Sequence, residues 1–399
     1  MIALTVIFWI SLFIIFYSYL GYAILLYCLI KCKNFFNPIL SNYSSYPPPP
    51  VALIIPAYNE EHIILRKIKN TLELNYPPEK LSVIFITDGS TDKTPEIISS
   101  FTGFTLMHQP ERKGKSAALN RAMQRVDAPI VIFCDANTLL NKACINEIAK
   151  HYADPKVGGV SGEKKVLSVR GTKAVSSGES LYWKYESFLK KMDASFYTVV
   201  GAAGELLSLR TALYEPIPEH TIIEDFVLSL RVCLKGYIIR YEPNAYATET
   251  SSASMKEELK RKVRISAGAF QAMLMLKPLF NIFKFPKLSF QFISHRVLRW
   301  TLCPFCLVSV FISNYLLLFI SGNKLFTYLF TAQTICYLMA VTGWILAEKN
   351  LKNRWLFIPY YFLFMNISVF IGMYRIITKS QPVLWEKSDR QIIPEKYHT

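Results

Sequence analysis

Val83-Ile84-Phe85-Ile86-Thr87-Asp88-Gly89-Ser90-Thr91-Asp92 is a run of β-branched and aromatic residues that ends in a carboxylate and a turn. Ile130-Val131-Ile132-Phe133-Cys134-Asp135-Ala136-Asn137 repeats the arrangement further along the chain. Short apolar runs bounded by turn residues read as buried strands. Ligands of open α/β sheets collect at the carboxyl ends of the strands, where Asp88 and Asp135 both stand. Working outward, Val51–Ile55 is a third strand and Leu106–His108 a short fourth. Glu60–Leu74 and Ser116–Val126 read as helices, and Pro95 opens another, since proline suits a first helical turn. This alternation predicts an α/β fold with a mostly parallel sheet and helices on both faces. After Val157 the pattern loosens. Val175–Met192, Glu224–Leu234 and Met255–Met275 read as helices, and the glycine-rich Val199–Arg210 as a sharp turn.

Apolar segments flank this region. The chain has 399 residues, 52% hydrophobic and 19% charged, with a mean hydropathy of +0.24. Ile2–Ile30 contains no charged side chain, and about 20 apolar residues suffice to span a bilayer. It shows no cleavable-signal pattern, so a retained anchor is expected. Pro304–Ile320, Leu325–Leu346 and Trp355–Tyr374 are further uncharged runs. The net charge is +16, and much of the excess borders these runs at Lys31, Lys33, Lys284, Lys287, Arg296, Arg299, Lys349, Lys352 and Arg354. Basic flanks favour the cytosolic side and anionic lipid. Membrane lipids, and not nucleic acid, are therefore the expected partners of this charge. Pro278–Trp300 mixes aromatic, aliphatic and basic residues, as interfacial helices do. The eight cysteines form no disulfide framework, and Cys303-Pro-Phe-Cys306 reads as packing within a span. The six histidines show no metal-ligand spacing.

Several short motifs carry chemistry. Pro56-Ala57-Tyr58-Asn59-Glu60-Glu61 follows the first strand and can place Glu60 beside a base or ribose, or simply cap a helix. Asp88-Gly-Ser-Thr-Asp92 permits a close turn and an acceptor for a base or ribose, and also fits an ordinary polar turn. Lys113-Gly114-Lys115 sets cations at a helix start, where a diphosphate binds well, and taken alone also fits a solvated basic loop. Asp135-Ala136-Asn137 puts two oxygen ligands on one side; Asn137 brings no formal charge, which predicts weaker binding of a hard cation. Glu224-Asp225 opens a helix, where the dipole favours negative charge and a carboxylate can act as a general base. Arg261 and Arg264 share one helix face.

Taken in order, with Gly201-Ala-Ala-Gly204-Glu205 before Glu224-Asp225, these motifs resemble the membrane-bound family-2 inverting glycosyltransferases, such as cellulose, chitin, hyaluronan and poly-N-acetylglucosamine synthases. The likeness runs from about Val51 to Gln271. It implies a GT-A fold, a nucleotide-sugar donor, expected to be UDP-linked, and Mg²⁺ or Mn²⁺ held at Asp135 and Asn137. It also implies donor binding by Pro56, Tyr58, Glu60, Asp88, Lys115, Asp135, Arg261 and Arg264. Asp225 would be the catalytic base, and Gly204, Glu205 and Glu224 would meet the acceptor. That acceptor is expected to be a polysaccharide or a lipid-linked glycan at the cytosolic membrane face. The chain departs from the family at Asn137, at Ala203 where relatives carry Asp, and at Arg261 and Ile265, the glutamine and tryptophan positions of the processive synthases.

The division expected is an anchor at 1–33, a proline-rich linker at 34–50, a cytosolic catalytic domain at 51–275, an interfacial segment at 276–300, two to three spans within 301–378, and a tail at 379–399. Such a chain is a multi-pass protein of the plasma or inner membrane. Two other classes remain open. A sugar nucleotidyltransferase would want a glycine-rich phosphate loop after the first strand, which Pro56–Glu60 does not supply. A transporter would want ionisable residues inside its spans, and the four apolar runs hold none; a scaffold would have no use for the acidic motifs.

Overall fold

The structure is a computed structural model and describes residues 1–36, 47–167, 173–349, 351 and 353–382. Much of the 34–50 linker and nearly all of the 379–399 tail lie outside the described residues. The chain opens with α1 (Ile2–Phe16) and α2 (Tyr22–Phe36), joined through a π-helical turn at Tyr17–Gly21. The globular region follows. It runs β1 (Val51–Ala57), α3 (Glu61–Leu72), β2 (Leu81–Asp88), α4 (Thr94–Ser99), β3 (Thr105–Gln109), α5 (Lys115–Met123), β4 (Ile130–Phe133), β5 (Leu139–Leu140), α6 (Cys144–Ala149), β6 (Val157–Leu167), α7 (Lys173–Phe196), β7 (Leu207–Arg210), α8 (Glu224–Leu234), β8 (Ile238–Thr250) and α9 (Met255–Met275). The remainder is helical: α10 (Pro286–Gln291), a π-helical turn at Phe292–Val297, α11 (Leu298–Trp300), α12 (Leu302–Ile320), α13 (Lys324–Glu348) and α14 (Arg354–Ile377).

Eight strands form one sheet in the order β3-β2-β1-β4-β7-β6-β8-β5. The β3-β2-β1-β4 half is wholly parallel, with Leu53 facing Val83 on one side and Ile132 on the other. At β7 the direction reverses, and the second half is mixed. Successive strand side chains serve opposite faces. Ile54, Ile84, Ile86, Val131 and Phe133 enter one core with α5 and α8. Leu53, Ile55, Val83, Phe85, Ile130 and Ile132 enter the other with α3 and α6. Burial on both faces explains why these strands are unbroken apolar runs.

Among the described residues, four helices are long and apolar enough to cross a membrane: Ile2–Phe35, Leu302–Ile320, Lys324–Glu348 and Trp355–Ile377. One expectation is corrected. Arg296 and Arg299 do not face lipid head groups. Both are buried, and both donate to Glu186 of α7, at 2.9 and 2.7 Å. Arg299 also donates to the Ser18 carbonyl at 3.1 Å. Next to them His295 pairs with Asp193 at 2.6 Å, and Tyr22 donates to the same carboxylate. Burying the charges is tolerable because each finds an opposite charge and further hydrogen bonds. The 276–300 segment thereby locks the N-terminal apolar helix to the globular region.

Candidate active site

The parallel half of the sheet delivers three loops to one edge. After β2, Asp88 is buried, and its Oδ2 accepts from the backbone N–H of Lys113 (3.0 Å) and Gly114 (2.6 Å). Gly114 makes this possible by adopting φ +98° at the start of α5, a region that side chains disfavour. The other oxygen of Asp88 is buried without a hydrogen-bond partner and lies 3.8 Å from Arg121. After β1, Asn59 takes φ +52° and accepts from Thr91 N–H at 2.8 Å. Asp92 accepts from the backbones of Glu61 and Thr94, so it joins the two loops. Tyr58 stacks under the Arg112 guanidinium, 3.8 Å from its ring centre. Pro56, Tyr58, Glu60, Asp88, Lys115, Asp135 and Asn137 all line one narrow cleft.

The loop after β4 is held from below. Lys67 of α3 is fully buried and donates to the Thr138 carbonyl at 2.8 Å and to Cys134 Sγ at 2.9 Å. Asn70 pairs with both backbone groups of Leu140. Asp135 and Asn137 are thus fixed at the strand end. The Asn137 Oδ1 is buried and has no hydrogen-bond partner. A buried orphan acceptor is costly unless a ligand satisfies it.

Lys115 links this cleft to a larger cavity of about 660 Å³. Its ammonium lies 2.7 Å from Asp135 and 2.7 Å from Glu224, the first residue of α8. Burial works against that charge, but the two carboxylates outweigh it and hold the Lys115 pKa above its ordinary value. Glu224 is held below its usual range: burial opposes its charge, and Lys115 overcomes that. Asp225 is the contrary case. Burial and then the adjacent Glu224 charge push it up to about 7. Two neighbouring carboxylates pushed apart in this way mark an acid–base site. The loop before β7 comes close enough that a Cβ on Gly204 would lie 3.1 Å from Asp225 Oδ2.

Opposite stands α9. Arg264 lines the cavity among Glu224, Asp225 and Asp135; burial lowers its pKa against their pull. Arg261 also lines the cavity, but its guanidinium is gripped by Glu258 at 3.0 and 3.1 Å. Tyr361 of α14 donates to the same carboxylate at 2.9 Å. Glu205 faces the cavity and is ion-paired to Lys164, which also holds Glu249. Trp183, Glu186 and Lys190 of α7 line the cavity as well. Nothing in the sequence singled them out, for α7 reads only as an amphipathic helix. Among the described residues no group of three His, Cys, Asp or Glu could hold a metal ion alone.

Three comparisons with known proteins bear on this geometry. The model of the family "Glycosyl transferase family 2" matches residues 52–214, which include the Asp88 and Asp135 loops. Over that stretch the chain resembles the family 2 glycosyltransferases. The chain is also similar to the poly-β-1,6-N-acetyl-D-glucosamine synthase of Staphylococcus aureus, 26% identical over 235 residues. The match covers 56% of this chain and 55% of the synthase, so the chain spans about half the length of that relative. A probable glycosyltransferase of Bacillus subtilis is 23% identical over 380 residues, 86% of this chain and 87% of that protein. Among solved structures, a mannosyltransferase from Pyrobaculum calidifontis, bound to GDP-mannose and Mn²⁺, covers 94% of this chain and 100% of its own, with a TM-score of 0.66 and 20% identity. Glycosyltransferase and GT-A fold therefore describe the domain, and the expected fold class stands.

Proposed function

We propose that this glycosyltransferase domain moves a sugar, with inversion, from a UDP-sugar to a hydroxyl of a polysaccharide or lipid-linked glycan at the cytosolic face of the cell membrane. The observation that carries this reading is the convergence of Asp88, Asp135 and Asp225, from three separate segments, on two cavities that share Lys115 and Asp135. The narrow cleft takes the nucleoside. The free oxygen of Asp88 accepts from a base N–H, Tyr58 and Arg112 form one wall, and Glu60 closes the ribose end. Lys115 and Arg264 bring positive charge to the diphosphate, where it stabilises the departing group. Asp225, poised near neutrality, accepts the proton of the acceptor hydroxyl as that oxygen attacks the anomeric carbon from the face opposite the diphosphate. One displacement inverts the centre. Gly204 and Glu205 border the acceptor, with Glu224 setting the charge of Asp225.

The donor set fits a divalent cation. Asp135 offers one carboxylate and Asn137 an unsatisfied carbonyl oxygen, and these two would hold Mg²⁺ or Mn²⁺ together with oxygens from outside the protein. When bound, the ion neutralises diphosphate charge. The four apolar helices favour a multi-pass membrane placement, with basic flanks such as Lys31 and Lys33 favouring a cytosolic domain. Purified membranes would be incubated with a panel of radiolabelled nucleotide sugars, followed by product sizing and NMR of the new linkage. Transfer with inverted configuration and release of UDP supports the reading. Pyrophosphate release would show a nucleotidyltransferase instead, and failure to bind any nucleotide sugar in detergent would refute both.

A further inference from the structure

Lys190 of α7 is only 3% exposed, and it lines the large cavity. It makes no hydrogen bond or ion pair with any described residue. Its ammonium lies 5.6 Å from the centre of the Trp183 ring. The Trp183 indole N–H, on the same helix and in the same cavity, is buried and also has no acceptor. Two unmatched donors sit side by side in a chamber that contains the proposed base. Burying a donor without an acceptor is costly, so the pair points to a ligand that supplies oxygen acceptors.

The charges around Lys190 narrow the ligand. Glu163, Glu205 and Glu186 all act on its ammonium, against burial and Arg296, which lower its pKa. A phosphate brought here would meet three carboxylates. A sugar meets no such repulsion, because each hydroxyl both accepts from an ammonium or indole N–H and donates to a carboxylate. Glu205 also acts on Asp225, which places this cluster beside the acceptor side of the reaction. The cavity continues into a second chamber of about 270 Å³ that shares Tyr182, Glu186, Arg296 and Trp300 with it. The walls added there are largely aromatic, among them Tyr185, Phe357 and Phe362. Tyr19, Tyr185 and Tyr361 in these walls combine a flat face with a hydroxyl rim, a pairing that suits a sugar ring.

We propose that Lys190 and Trp183 form a subsite that holds a sugar unit of the acceptor through its hydroxyl oxygens. The proposal rests on the transferase reading above and deepens it: it names the side chains that hold a sugar unit of the acceptor. Three variants test it: Trp183→Phe, which keeps a ring but deletes the N–H; Lys190→Gln, which deletes the charge; and Lys190→Arg, which keeps it. The full-length protein in detergent would be assayed with hexose and N-acetylhexosamine disaccharides as acceptors, and separately with a polyprenyl phosphate that bears no sugar. Donor breakdown to free sugar would be followed without acceptor. The expected result is an acceptor KM raised about tenfold in Trp183→Phe and in Lys190→Gln, as loss of a well-placed hydrogen bond predicts. Lys190→Arg should recover part of the loss, and donor KM and donor breakdown should match the parent. An unchanged disaccharide KM in both deletion variants overturns the subsite while leaving the transferase intact. Efficient use of the sugar-free phosphate, weakened by the same variants, also overturns it. No transfer from any nucleotide sugar by the parent protein would bring down the underlying reading instead.

Discussion

Gly204 approaches Asp225 so closely that a single added methyl group would lie 3.1 Å from its carboxylate. The contact is tighter than ordinary van der Waals spacing, so Gly204→Ala must shift the carboxylate or the loop by a few tenths of an ångström. Misplacement of a reacting group by about 1 Å can cost roughly a hundredfold. We expect kcat to fall about tenfold in Gly204→Ala while donor affinity holds. Steady-state kinetics with a calorimetric donor titration would check this, and an unchanged kcat would show that the loop, and not the carboxylate, gives way.

Asp225 has its pKa pushed up to about 7. Below that pH it carries its proton and cannot take another from the acceptor. Activity should therefore rise with pH, with a slope of one on a logarithmic plot, and level off above about 7. Asp225→Asn should lower kcat by about 10²–10⁴ with donor binding nearly intact, the usual worth of a positioned base. A flat profile in the parent protein across that range would contradict the assignment.

Lys115 balances Asp135 and Glu224 at once. Replacing it with Met leaves two carboxylates facing one another. Because Lys115 also pulls the Asp225 pKa down, its removal should move the kinetic inflection to higher pH. Donor KM should rise at least about tenfold with loss of a charged partner. The two readouts are independent, and a change in KM without the pH shift would limit Lys115 to donor binding.

Asn137→Asp adds formal charge at an oxygen that now has no partner. Hard cations favour carboxylates over carbonyls. We expect Mn²⁺ to bind about tenfold more tightly, read by electron paramagnetic resonance titration in the presence of nucleoside diphosphate. Chelation should weaken donor binding in the parent and more strongly in the variant.

Glu186→Gln leaves the Arg296 and Arg299 guanidinium groups in a buried site without their shared carboxylate. Breaking a buried pair from one side costs about 3–5 kcal/mol. A clear fall in the thermal unfolding midpoint in detergent is expected, and an unchanged midpoint would show that the pairing contributes little.

The first half of the sheet was legible because β1, β2 and β4 are buried on both faces and hence written as unbroken apolar runs. β6 and β8 were not. β6 begins Val157-Gly158-Gly159, and glycines there admit close neighbours: a Cβ on Gly159 would lie 2.6 Å from the Ser208 carbonyl. β8 carries Pro243 and Asn244 at the point where its register with β6 shifts. Both strands mix charged and apolar residues because parts of them border ion-paired side chains such as Lys164 and Glu249. Of the site, the strand-end carboxylates were legible from position alone. The α7 residues were not, since only tertiary folding brings Trp183 and Lys190 into the cavity. Arg296 and Arg299 misled for a related reason: composition cannot tell a basic residue that meets lipid from one that meets a buried glutamate.

The last long apolar helix packs against α9, the helix of Arg261 and Arg264, with little slack. A Cβ on Gly372 of α14 would stand 2.7 Å from the Ser266 side chain of α9, two residues beyond Arg264. Spanning helices respond to bilayer thickness chiefly by tilting. In the membrane placement proposed above, such a tilt would be felt at the guanidinium groups, which would make the surrounding lipid a setting on the enzyme and not only its container. A preparation in short-chain detergent can then be well folded and slow, and restoring activity would call for lipids of the right acyl length before any change of substrate.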